Sequence, residues 1–255
     1  MNESTKEKLK ELLKKVTSET TEDDLEKLKQ EFKETIKDAN PLIIAQAEGE
    51  LIKEGGKLED LMKACDIHLE LFEDAIRNPN LKVPDWHPIK SFQDDHKNIL
   101  DLMEKLLEYI KSLKEYKSFE ESKEIINKIQ KISEKLMEAE NHNIRQENTL
   151  FPVLEKKGIE QPPAIMWHEH TEMKEQKKLL LKLLKEKENL SFSDFVNKME
   201  MIAKFLIEKF GSHTQKEENI LYVTALNVIS DEEWKEIKEE CDNQSRTLLY
   251  PTSHS

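Results

Sequence analysis

Apolar residues recur along the chain at the three-and-four spacing of amphipathic helices, and the places where that period fails mark out the elements. Residues 4–77 hold apolar-striped segments broken at "TSETTEDD" (17–24), "ANP" (39–41) and "EGGK" (54–57), which predicts about four short helices. Thr21, followed by Asp24 ahead of Leu25, Leu28 and Phe32, has the pattern of an N-cap with acidic residues in the first turn. The stretch "RNPNLKVPDWHP" (77–88) carries three of the eight prolines and interrupts any helical period, so a domain boundary is expected there. Four longer periodic segments follow, at about 89–116, 119–150, 163–189 and 192–228, joined by short links such as "EKKGIEQPP" (155–163). Four long helices on short links predict an up-down-up-down four-helix bundle. A last helix starts at Asp231 in "DEEWKEIKEEC" and precedes a frayed tail. The expected organisation is a small helical domain at 1–80, the bundle at 86–229, and a C-terminal helix and tail at 230–255.

Composition narrows the class. With 5 Gly and 8 Pro in 255 residues, the turn-forming residues that a β-sandwich or barrel needs are scarce, and Leu, Lys, Glu and Ile dominate instead. The fold class read from the sequence is all-α. Fifty-three acidic side chains against 40 basic ones give a formal net charge of −13, and Lys and Glu alternate, as in "LLKLLKEKE", rather than segregating to one face. Such a surface repels a phosphate backbone, which argues against nucleic acid as a partner. The N-terminal "MNESTKEKLK" has no apolar core of a targeting signal, and no stretch approaches the roughly 18 apolar residues that a bilayer span requires. A soluble, cytoplasmic protein with no membrane partner is expected. Cys65 and Cys241 lack CxxC spacing, which fits a reducing compartment.

The chemistry lies in an internal repeat. "HNIRQENTLF" (142–151) and "HTQKEENILY" (213–222) align without gaps, sharing His, a basic residue at the fourth place, Glu, Asn, Leu and a final aromatic. "DDHKNIL" and "HEHTEMK" each place an acid and a His in the helix before a repeated motif. His96 and His170 are 74 residues apart, and His142 and His213 are 71 apart. The chain therefore reads as two copies of one αα-hairpin with one His per helix, so that four imidazoles from a pseudo-twofold bundle can converge on its core.

Carboxylates accompany them. Glu217 lies four residues after His213, about 40° around a helix, while Glu218 lies five after it, about 140° around, and needs a looser turn to reach the same place. In the first copy the position four after His142 is Gln146 and the acid, Glu147, is five after it. Four His with carboxylates and no thiolate suit iron or manganese, and zinc also fits. His168 is about 200° around the helix from His170 and is expected to face outward. His87, in "WHP" at a helix start, reads equally as a cap residue or a fifth ligand; His68 and His254 read as ordinary polar residues. Cys65 and His68, at i and i+3, share a helix face and read as a buried structural pair or a redox-active one. Phe92, Met103 and Trp167 read as core.

With these residues in place, the chain resembles the hemerythrin-like, HHE cation-binding family over about 86–229. The family pattern, an acid-His pair followed by His-x-x-x-Glu-Glu before Leu-aromatic-Pro, is matched by Asp95-His96, His142 to Glu147 before "TLFP", Glu169-His170, and His213 to Glu218 before "ILY". Residues 1–80 resemble a helical domain of unknown function that often precedes this bundle in prokaryotic proteins, through "AEGELIKEG" and "KACDIHLELF". The resemblance implies an oxygen-bridged, non-haem di-iron centre held by His96, His142, Glu147, His170, His213, Glu217 and Glu218, with His87 as the candidate further ligand read from its own position. It implies O2 or NO as small ligands and a role in redox or oxygen sensing or iron handling; residues 1–80 read as a surface for a protein partner or for docking on the bundle. An alternative is a di-iron oxidoreductase acting on NO or peroxide, or an iron-donating repair protein for iron–sulfur clusters. Gln146 departs from the pattern where it usually has its first Glu, and Val223 stands where the second copy would repeat Pro152.

Overall fold

The computed structural model describes residues 2–16, 20–36, 41–57, 60–62 and 81–249, which contain helices and no strand. Cys65, His68, His254 and the 77–80 part of the expected boundary region lie outside the described residues. Helices α1 (Asn2–Lys15), α2 (Glu22–Ile36) and α3 (Pro41–Lys53) precede the long elements. Thr21 caps α2, its hydroxyl accepting from the Asp24 amide at 3.3 Å. Next come α4 (Pro88–Ser112), α5 (Lys123–Glu138) and α6 (Glu140–Arg145), a π turn at Gln146–Leu150, and α7 (Phe151–Lys156). Helices α8 (Gln161–Lys185) and α9 (Phe192–Lys216), a second π turn at Glu217–Leu221, α10 (Tyr222–Val228) and α11 (Asp231–Leu249) complete the described chain.

The expected segments are all helical, with shifted ends. The second starts at Lys123 rather than 119, because Ser118 accepts from the Glu121 amide at 3.3 Å and the Glu121 carboxylate accepts from the Lys117 amide at 3.0 Å, which closes a turn ahead of the helix. It also runs past 150 to Lys156, since Pro152 falls in the first turn of α7, where a missing N–H costs no helical bond. Ser191 caps α9 by accepting from the Asp194 amide at 3.1 Å, and Ser230 and Glu233 form a reciprocal box at the start of α11.

Helices α4, α5, α8 and α9 form a ring in which each packs on two neighbours. One apolar cluster fills one end, with Met103 and Leu106 of α4, Ile129 of α5, Leu180 of α8 and Phe195 and Leu206 of α9 fully buried. The other cluster joins Phe92, Leu150, Phe151, Met166 and Tyr222 to Leu9, Phe32 and Ile44 of the first three helices and to Trp234 of α11. Helix α3 packs on α8 and α10. Trp167, expected in the core, is instead 56% exposed, on the outward side of α8 next to the exposed His168. Between the two apolar clusters the ring is polar, and that layer holds the candidate site.

Candidate metal centre

Each of the four repeated histidines arrives from a different stretch of the ring: His96 from α4, His142 from α6, His170 from α8 and His213 from α9. All four are buried. Every one turns its Nδ1 to a carboxylate, and the carboxylates follow the repeat. His96 Nδ1 meets Glu218 at 3.0 Å and His170 Nδ1 meets Glu147 at 2.7 Å; His142 Nδ1 meets Asp95 at 3.3 Å and His213 Nδ1 meets Glu169 at 2.9 Å. A carboxylate on Nδ1 fixes the ring's orientation and leaves Nε2 for an electrophile. Basic residues back two of the acids in the same relation, Arg145 on Asp95 and Lys216 on Glu169, the latter at 2.8 Å.

Glu217 stands where the four Nε2 atoms converge, fully buried. Its Oε2 lies 2.5 Å from His96 Nε2 and 3.7 Å from His142 Nε2, and its Oε1 lies 3.2 Å from His213 Nε2 and 3.8 Å from His170 Nε2. One carboxylate thus serves two histidine pairs, one oxygen to each. In each of the groups His96–His142–Glu217 and His170–His213–Glu217 the ligand atoms lie within 4.8 Å of one another, the span over which one ion can be held. Glu217 Oε1 is buried and accepts no hydrogen bond, and the Gln146 side-chain oxygen Oε1 is likewise buried without a partner. Orphaned buried oxygens of this kind are costly unless a cation is their partner, so the residues fit a metal site.

The π turns make this arrangement possible. Both close five-residue hydrogen bonds, Phe151 N–H to Gln146 and Tyr222 N–H to Glu217, and so bring the fifth residue after each His back to the inner side. That lets Glu217 and Glu218 both engage histidines. Two of the positions at which the copies differ meet at the centre. Gln146 matches Glu217, and Phe151 matches Tyr222. Phe151 stacks on His170 and Tyr222 stacks on His96, but only Tyr222 carries a hydroxyl, which donates to Glu217 Oε2 at 3.0 Å and accepts from the Gln146 amide at 3.1 Å.

The electrostatics follow from that packing. Burial would lower His96, but Glu217 and Glu218 outweigh it and raise its pKa to about 9. His170 is raised in the same way, burial being overcome by Glu147 and Glu217. Burial would raise Glu217, yet the charges of His213 and His96 hold it well below the carboxylate range. Glu169 is lowered to about 2 against its burial by His213 and Lys216. Burial and the adjacent Glu217 push Tyr222 well above the usual phenol value.

Of the residues expected to bind metal, His96, His142, His170, His213 and Glu217 come together. Glu147 and Glu218 sit against the outer nitrogens of His170 and His96 and are in neither three-residue group. His87 is also outside both groups: its Nδ1 accepts from the Ile89 amide at 3.2 Å as the cap of α4, with its ring 4.3 Å from that of Trp234. Sequence reasoning missed Asp95 and Glu169 as histidine partners, although each stands next to a histidine in the chain, and left Tyr222 unplaced.

The profile of the hemerythrin HHE cation binding domain matches residues 87–225, and that of a family of unknown function (DUF438) matches residues 9–78. No curated protein matches the chain.

Proposed function

Because the chain belongs to the hemerythrin HHE cation binding family across more than half its length, we propose that it is a non-haem di-iron protein that takes up O2 or NO and acts in redox or oxygen sensing or in iron handling. The observation that carries this reading is the division of Glu217 between two histidine pairs, one oxygen each. His96, His142, His170, His213 and Glu217 would hold the irons, and Asp95, Glu147, Glu169 and Glu218 would keep the imidazoles aimed. An all-nitrogen and oxygen donor set suits iron and manganese, with zinc as an alternative occupant. The irons would supply redox chemistry toward a small diatomic ligand, and the apolar clusters on either side of the polar layer would keep bulk water from them.

Residues 1–80 are assigned to reporting the state of the centre to a protein partner; the contact of α3 with α8, which carries His170, supports this. The test is metal analysis of the purified protein with absorption spectra taken anaerobically and in air. Iron, with near-ultraviolet charge-transfer bands that appear on oxidation, supports the reading; no metal after anaerobic iron reconstitution refutes it. One observation favours a second reading, turnover of NO or peroxide: the Tyr222 hydroxyl is a protonatable group inside the site. Catalytic consumption of either molecule, with its loss in Tyr222→Phe, would establish that alternative over reversible binding.

A further inference from the structure

The duplication would make the two halves of the centre alike, but Gln146 and Tyr222, two groups that differ between the copies, both act on one half. In the His170–His213 half, the inward atoms touch one another: His170 Nε2 meets His213 Nε2 at 3.1 Å, and Glu217 Oε1 faces His213 Nε2 at 3.2 Å. These are contacts among ligands, which an arriving cation replaces with its own bonds. In the His96–His142 half, side chains that are not ligands hold the ligand atoms. The Gln146 amide donates to His142 Nε2 at 2.8 Å, occupying the lone pair that a cation needs. The Tyr222 hydroxyl donates to Glu217 Oε2 at 3.0 Å and lies 3.4 Å from His96 Nε2. The amide also donates to the Tyr222 oxygen at 3.1 Å, so the two groups brace each other.

Charge acts in the same direction. By the repeat, Gln146 is the counterpart of Glu217, so a carboxylate is replaced by a neutral amide. A first cation beside Glu217 uses the one negative charge at the centre, and a second must enter against it with no second carboxylate between them.

We propose that the halves load unequally: one divalent cation binds tightly between His170, His213 and Glu217 Oε1, and the His96–His142 half takes a second cation only weakly, gated by the Gln146–Tyr222 pair. This rests on the metal-binding reading above and adds an order of loading and a chain-specific cause for it. Displacing a bracing hydrogen bond and lacking a second shared carboxylate together place the second affinity about 100-fold or more below the first.

The experiment titrates metal-free, full-length protein with Co(II) under anaerobic conditions, following visible d–d absorption and competition with a chromophoric chelator. Wild type should show one tight and one weak event. His142→Ala should keep the tight event and lose the weak one, and His213→Ala should lose the tight event. Gln146→Glu should bring the second affinity to within about tenfold of the first, which tests the inference even if a histidine variant fails to fold. Two equally tight events in wild type, or a tight event lost in His142→Ala and kept in His213→Ala, would overturn the inequality while leaving the metal reading intact. No Co(II) bound by wild type would overturn both.

Discussion

Glu169 and Glu147 do the same job for His213 and His170, each receiving an Nδ1–H, but in different surroundings, and replacing each by Gln separates metal binding from stability. The Glu169 side chain is fully buried, at 2.9 Å from His213, 2.8 Å from Lys216 and 3.2 Å from Lys209. The Glu147 side chain is 26% exposed and its ion pair is with His170, at 2.7 Å. A Gln at either place still accepts from the ring, so the imidazole keeps its aim and loses only the charge that makes Nε2 a better donor. Metal affinity should fall about 10- to 100-fold in both variants, equivalent to about 1.4–2.7 kcal/mol. Stability should divide them. In Glu169→Gln the buried Lys216 loses this counter-charge, which costs about 3 kcal/mol; in Glu147→Gln a partly solvated pair is lost, worth under about 1 kcal/mol. Urea unfolding of the metal-free proteins gives the stability difference, and anaerobic competition with a chelator gives the affinity. Equal destabilisation by the two variants, or metal affinity within twofold of wild type in Glu169→Gln, would refute the assigned division of roles.

Three further expectations use the same geometry. His213→Ala should lower metal content and the melting temperature of the loaded protein together, whereas His168→Ala, on the exposed side of α8, should change neither; the reverse result would show that the inward faces are misassigned. His96 titrates at about 9 when folded against an ordinary 6.5, so its contribution to the metal-free protein is complete below about 6.5 and disappears as pH rises through 9. His170 shifts in the same direction, so metal-free melting temperature should fall between pH 6.5 and 9.5; a flat or rising profile would refute the coupling to Glu217. Cleavage within 78–86 should yield a fragment that keeps its cation, because all four histidines and Glu217 follow Trp86; iron lost from the fragment but retained by the intact chain would assign a ligand to the N-terminal domain.

The helices and the convergence of four histidines were legible because both are periodic: the apolar spacing marks each helix, and the 74- and 71-residue offsets superimpose the two copies. What was not legible depends on contacts between helices. Asp95 stands beside His96 in the chain yet bonds His142, and Glu169 stands beside His170 yet bonds His213, because neighbours on one helix point about 100° apart. Glu147 and Glu218 entered the expected ligand set through the family pattern, since their spacing puts each about 140° from its histidine on a regular helix. The looser turn that Glu218 needs is a π turn, present in both copies, and it carries each acid to the outer nitrogen of a histidine on another helix. Trp167 was misread for a simpler reason: its apolar side chain resembles core in composition, but its place on α8 is two residues from the inward Glu169.

The exchange of acids between the hairpins has a consequence for ancestry. His96 belongs to the first hairpin and leans on Glu218 of the second; His170 belongs to the second and leans on Glu147 of the first. A hairpin standing alone would therefore lack the acid for its own leading histidine, and could complete it only by pairing with a second copy. In such a self-paired assembly any substitution appears twice, so an amide at the place of Gln146 would remove both central carboxylates at once. Joining the copies in one chain breaks that bond between their fates: Glu217 keeps its charge while its counterpart gives it up, and a centre with a single shared carboxylate becomes available only to the fused form.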